Sequence, residues 1–259
     1  MYLTRKRLGD CPTCDKVLFT VLFNSECVVM DSAEAEQRIL RRGWLSEQPE
    51  YIRAAVLRNA QLVRYAAGEP IFHAGDEKGG ICGVISGGVG VYLPTDNADF
   101  RLVHIGRCGL WFGYGPLIRS RRRSLTFNPT EPTLLMRVPL PTLQKIAGTS
   151  LAHQRAVLSV GEYGMDAAIT IIDNLSIRNH ARRIAATLLR VMHDPDETSV
   201  HVVTDILLTQ TQIGEMASVG RQVVNRELRR MEAKGWLAVS YNRITVLSRD
   251  ALAEFAQSG

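Results

Sequence analysis

Residues 208–235 carry the local pattern that most restricts what this chain can fold into. Thr209 followed three residues later by Gln212 forms a capping box, in which the hydroxyl caps an early amide and the Gln side chain reaches back. The helix it opens has Ile213, Met216 and Ala217 as its buried side, and Ser218-Val219-Gly220 ends it in a tight turn. A second helix is predicted from about Arg221 to Lys234, closed by Gly235. On it Val224, Leu228 and Met231 share one face, whereas Gln222, Asn225, Arg226 and Arg229 stand at i, i+3, i+4 and i+7 on the other. Two alternating strands follow, Leu237 to Ser240 and Arg243 to Leu247, joined at Tyr241-Asn242. Helix, short turn, polar-faced helix and hairpin together predict a winged helix-turn-helix. A plain helical hairpin with a solvated Arg-rich face would share the periodicity. Arg beside Gln and Asn, the side chains that match guanine and adenine edges, favours duplex DNA as the partner.

The rest of the chain has a different texture. Between about 60 and 140, short apolar runs (Ile81 to Ile85, Val89 to Leu93, Leu102 to Ile105, Leu134 to Val138) alternate with frequent glycines, which predicts an antiparallel sandwich or barrel. A helix from about Glu50 to Ala60 precedes it. From Leu151 the period becomes helical: Leu151, Leu158, Met165 and Ile172 recur every seven residues, flanked by Gln154, Gly161, Ala168 and Leu175. That seam suits either pairing with a second long helix or coverage of the domain's own core. A further amphipathic helix places Ile177, Ala181, Ile184, Leu188 and Val191 together.

Charge and composition add exclusions. The net charge of +5 is spread along the chain and does not by itself name a partner. The run from Val17 to Phe23 is far too short to span a bilayer, and no signal peptide is evident, so a cytoplasmic protein without a membrane partner is expected. Cys11, Cys14, Cys27, Cys82 and Cys108 make no disulfide ladder and suit a reducing compartment. No nucleophile–base pair, metal-ligand spacing or phosphate loop stands out, and Gly87-Gly88-Val89-Gly90 reads as a hairpin turn, so no enzyme is expected.

The stretch from Leu208 to Leu237 resembles the DNA-binding domain of the Crp/Fnr regulator family, with Gly220-Arg221-Gln222-Val223-Val224-Asn225-Arg226 at the family's recognition-helix signature. The resemblance spans residues 45–250 and includes A-A-G-E-P-I-F-H-A-G-D at 66–76 and W-F-G at 111–113. It implies an α+β chain: a β-roll sensor like a cyclic-nucleotide-binding domain over 30–148, a dimerisation helix over 149–176, and a winged-helix domain over 177–259. It further implies a homodimer on a twofold-symmetric DNA site, with RNA polymerase as a partner and a small-molecule effector at the roll. Arg221, Gln222, Asn225, Arg226 and Arg229, with Arg243 in the wing, would be the DNA-binding residues.

The expected effector pocket departs from the family. Tyr114 stands where a cyclic-nucleotide module resembling this one has a ribose-binding Glu, Arg123-Ser124 falls at the phosphate-binding position, and Ala168 and Ile169 replace adenine-contacting hydroxyls. Arg119, Arg121, Arg122 and Arg123 together also fit a solvated basic loop. The sequence names neither effector nor cofactor, and no metal site is expected. Two other functions share the pattern: a redox, metal or haem sensor on the same scaffold, and a nucleotide-binding module that does not bind DNA. For the former, Cys27 is too far from Cys11 and Cys14, Met136 occupies the fourth-ligand position, and His73, His104, Cys82 and Cys108 lie scattered among strands. Residues 1–29 match nothing in the family, and Met30-Asp31-Ser32 reads like a start followed by a helix, so 1–29 is expected to be a dispensable leader.

Overall fold

A computed structural model describes residues 19–23, 26–77, 79–96, 99–192 and 204–258. Cys11 and Cys14 lie outside the described residues. The strands β1 (Phe19–Phe23) and β2 (Glu26–Met30) pair antiparallel inside the expected leader, and Met30 is buried in the first domain's core. Asp31 then caps α1 (Ser32–Arg41), accepting from the Glu34 amide at 2.7 Å, and α2 (Glu50–Asn59) follows a short 3-10 turn at Trp44–Glu47.

The antiparallel body comprises β3 (Gln61–Tyr65), β4 (Gly80–Ser86), β5 (Val89–Pro94), β6 (Phe100–Gly106), β7 (Trp111–Phe112), the single-turn α3 (Gly115–Arg119), β8 (Thr126–Pro129) and β9 (Thr133–Pro139). They form two sheets, ordered β3-β9-β4-β7 and β6-β5-β8. Cys82, Val84, Phe112, Phe127 and Leu135 pack between them, whereas Ile81, Ile85, Trp111 and Met136 face a helical layer that includes Trp44, Ile39 and Leu143. Buried on both faces, β4 reads as a continuous apolar run rather than an alternating one. Gly83 lies in that strand because any side chain there would meet the Trp111 ring.

Beyond α4 (Leu140–Ala147), the single helix expected over 149–176 is instead two: α5 (Leu151–Leu158) and α6 (Val160–Ser176). The break is at Ser159, whose hydroxyl donates to the Ala156 carbonyl at 2.8 Å and accepts from the Trp44 indole at 3.0 Å. This local bond competes with helical continuation. Gly161, beside the seam, and Gly164 each seat a side chain of this same chain. A Cβ at Gly161 would press on Ile118 of α3, and one at Gly164 would overlap the Tyr114 hydroxyl. The seam itself stays bare: Leu151, Leu158, Met165, Ile169, Ile172 and Leu175 are exposed, Ile172 at 62%.

The last domain is built from α7 (His180–Val191), β10 (Thr204–Ile206), α8 (Gln210–Ala217), α9 (Arg221–Ala233), β11 (Leu237–Ser240), β12 (Arg243–Val246) and α10 (Arg249–Gln257). β12 is the centre of a three-stranded sheet, with β10 and β11 on its flanks. Its core is not closed on itself. Leu102 and Ile105 of β6 are buried in the same cluster as Ile184, Leu188, Ile213, Met216 and Leu228. The Leu102 amide donates to Glu215 of α8 at 3.1 Å, and Arg107 donates to the Val191 carbonyl at 2.9 Å. Arg190 of α7 donates to His104 Nδ1 at 2.8 Å.

Candidate nucleic-acid interface

The helix-turn-helix geometry follows from a few local requirements. Both halves of the capping box are made, Gln212 N to Thr209 Oγ1 at 3.1 Å and Thr209 N to Gln212 Oε1 at 2.9 Å. Ser218 takes the left-handed conformation that ends α8, and Gly214 lets the Val219 carbonyl approach the helix at a distance no side chain would allow. Arg183 of α7 fastens the turn. Its guanidinium donates to the carbonyls of Ala217 (2.6 Å) and Ser218 (3.3 Å), which the end of α8 leaves without partners, and to Ile177 (2.7 Å) at the end of α6.

Helix α9 buries Val224, Leu228 and Met231. Its opposite side presents Arg221, Gln222, Arg226 and Arg229, all exposed, so these four expected readers share one surface. Asn225 is different. It is half-buried and donates to Gln210 Oε1 at 3.1 Å, tying α9 to the start of α8. Arg243 is exposed but paired with Asp205 at 2.9 Å, and the same carboxylate accepts from Thr245 at 2.6 Å. The wing tip projects Tyr241 beyond it, 93% exposed. Sequence reasoning missed Glu227 and Arg230 on α9. Glu227 is buried at 4% exposure, accepting from Arg226 Nε at 2.7 Å and from Arg230 Nη1 at 3.0 Å. The Glu-x-x-Arg spacing was a legible signal of the second pair.

In the roll, the five expected pocket residues differ in burial and direction. Arg119, Arg121 and Arg122 are exposed, as a basic loop would be, but Arg123 is buried and turned inward. Its Nη1 donates to the Gly113 carbonyl at 2.6 Å and its Nη2 to Gly80 at 3.1 Å, with the guanidinium 3.6 Å from the Phe72 ring centre. Tyr114 leans the other way, onto α6 at Gly164, and burial pushes its phenol up, so it stays neutral. Ser124 and Ile169 are exposed and Ala168 is half-buried. A cavity of about 480 Å³ is lined in part by Phe72, Asp76, Glu77, Gly79, Arg122 and Arg137. His73, Cys82, His104 and Cys108 stay apart, and among the described residues no three His, Cys, Asp or Glu side chains form a metal-binding group. Burial pushes the Cys82 thiol up to about 12, leaving it protonated at neutral pH.

A β-roll packed on helices, followed by a winged helix that offers an exposed Arg- and Gln-bearing face, defines the class of DNA-binding regulators with an attached sensor domain. The comparisons agree. The cyclic nucleotide-binding domain family matches residues 62–150, and the Crp-like helix-turn-helix domain family matches residues 182–255. The fumarate and nitrate reduction regulatory protein of Escherichia coli is 25% identical over 198 residues, covering 73% of this chain and 76% of that one. In fold, the chain is similar to a protein from Ruegeria pomeroyi described as cyclic nucleotide binding (TM-score 0.68, 18% identity, 89% of this chain and 100% of that one). It is also similar to a CRP/FNR-family transcriptional regulator from Thermus thermophilus (TM-score 0.59, 19% identity, 76% and 99%). The chain belongs to the Crp/Fnr family of transcription regulators, with a DNA-binding helix-turn-helix and an effector-binding type of domain. Members of this family act in general as regulators rather than as enzymes. No helix among the described residues is long and apolar enough to cross a membrane.

Proposed function

We propose that this protein regulates transcription as a homodimer on a twofold-symmetric DNA site, with α9 of each copy in the major groove. The observation that carries the reading is the face of α9, where Arg221, Gln222, Arg226 and Arg229 are exposed while Val224, Leu228 and Met231 anchor the helix. In this motif the N-terminal turns of the helix reach base edges. Arg226 pairs bidentately with a guanine and Gln222 with an adenine, and a Glu at the Gln222 position would instead accept from a cytosine amine. Arg221, beside the α9 amides, serves a base or a phosphate. Asn225 acts through α8, and Arg243 contributes to the phosphate backbone from the wing. The bare strip along α5 and α6 supports dimerisation by a second copy, since six exposed apolar side chains at helical spacing need cover. RNA polymerase is the expected protein partner, and residues 1–29 are dispensable for both folding and DNA binding.

Cyclic AMP is not the effector in this reading. Tyr114 on Gly164 and the inward Arg123 take up groups that a cyclic nucleotide would need, and each polar group left unpaired would cost about 1–3 kcal/mol. Titration calorimetry with cyclic AMP should give a Kd no tighter than about millimolar. Selection of duplexes from a random pool should return two half-sites centred about 10–10.5 base pairs apart. Arg226→Ala should cost roughly 1–3 kcal/mol on the selected site and relax preference at one base pair. An equal loss on selected and scrambled duplexes would remove Arg226 as a base reader.

A further inference from the structure

Helix α9 buries one carboxylate, Glu227, beside its apolar anchors. The neighbours of Glu227 along the buried side are Val224, Leu228 and Met231, among which a charge is unfavourable unless it is paired. It is paired, twice, and both partners are arginines whose side chains are otherwise more than half exposed. Burial pushes the Glu227 carboxyl up, but the Arg226 and Arg230 guanidiniums outweigh it and hold it below the ordinary carboxylate range.

The pair with Arg226 has an unusual geometry. Adjacent residues on a helix project about 100° apart and do not normally meet. Arg226 nevertheless reaches Glu227, and the contact is made through Nε at 2.7 Å. Among the described residues, Nη1 and Nη2 of Arg226 make no hydrogen bond within the protein. A guanidinium held by Nε keeps its remaining Nη1–Nη2 edge directed away from the holding group, because the fork is planar and rigid. That edge can donate two parallel bonds to the O6 and N7 of a guanine.

We propose that Glu227 is a positioning residue for sequence reading: its buried carboxylate holds Arg226 by Nε so that the Nη1–Nη2 edge is set toward the major groove before DNA arrives. This inference rests on the assignment of Arg226 as a base reader. Ordering a long side chain on binding weakens association, and Glu227 makes that ordering a property of the free protein. The carboxylate also subtracts one charge beside the phosphates, which lowers affinity for every sequence alike. Glu227 therefore raises discrimination from both sides.

The experiment compares the full-length protein with Glu227→Leu, Glu227→Gln, Arg226→Ala and Glu227→Leu/Arg226→Ala on selected and scrambled duplexes. Glu227→Leu should bind the selected site about three- to tenfold more weakly, the range expected when one rotamer-rich side chain must be ordered on binding. It should bind the scrambled duplex more tightly, a rise that loss of folding cannot produce. Glu227→Gln keeps an acceptor for Nε and should restore most of the selected-site affinity. In the Arg226→Ala background, Glu227→Leu should change discrimination no further. If Arg226→Ala leaves the ratio of selected to scrambled affinity intact, the base-reader assignment fails. If Arg226→Ala collapses that ratio while Glu227→Leu keeps it within twofold, the positioning role is overturned and the reader assignment stands. A measurement on the unmutated protein without DNA serves even if a variant does not fold. The Arg226 Nε proton should exchange slowly with solvent in nitrogen-resolved NMR, and exchange as fast as that of Arg221 would overturn the proposal.

Discussion

Gly164 shows how one missing side chain sets a larger arrangement. The Tyr114 hydroxyl sits where a Cβ at 164 would project, so Gly164→Ala should force Tyr114 or the helix to move. Overpacking of this kind costs about 1–3 kcal/mol, of which the better helix propensity of Ala returns at most about 1 kcal/mol. Urea denaturation should show the net loss, and removing the hydroxyl with Tyr114→Phe should recover part of it in the double variant. His104 carries a prediction in pH. Burial, followed by the Arg190 and Arg107 charges, pushes its imidazole down to about 3. The unfolded chain takes up this proton below about pH 6.5 and the native protein does not, so the contribution is constant above that pH. It weakens as pH falls from about 6.5 toward 3, by about 2 kcal/mol at pH 5 relative to neutral pH. Denaturant melts across that range should show the slope, and His104→Asn should flatten it.

At the level of elements, the helix-turn-helix depends on groups supplied from outside it. Arg183 lies on α7, yet it satisfies the end of α8 and the turn to α9 through two hydrogen bonds, and a third ties it to Ile177 at the end of α6. Arg183→Ala should destabilise the winged-helix domain by about 2–4 kcal/mol, since bonds from a charged donor contribute more than neutral ones. The capping box belongs to α8 alone, and Thr209→Ala should cost only about 1 kcal/mol. Thermal melts followed by circular dichroism would rank the two, and the reverse order would show that local capping outweighs the cross-helix staple. The pattern of Thr209, Gln212 and Gly235 was legible because capping and turn chemistry act within a few residues. α10 and β10 were not anticipated. β10 is only three residues long, and it earns its place by pairing with β12, a partner some forty residues away.

For the whole molecule, the bare strip on α5 and α6 and the shared core between roll and winged helix decide how the parts act together. Ile172→Glu places a charge in the middle of that strip, and light scattering should then report a monomer with little affinity for a two-half-site duplex. A dimer of unchanged mass would move the interface elsewhere. The sequence by itself determined the order of domains, the helix-turn-helix, and the Arg- and Gln-bearing face of α9, because capping, turn chemistry and the 3.6 period are local. It also placed Arg123 and Tyr114 at the sensor. Only the tertiary structure decided what those residues do. Arg123 turns onto the carbonyls of Gly80 and Gly113, Tyr114 fills the notch at Gly164, and Leu102 and Ile105 of β6 complete a core whose other buried residues begin at Ile184. Each outcome depends on which distant groups the fold brings into contact, and no periodicity within a segment encodes that.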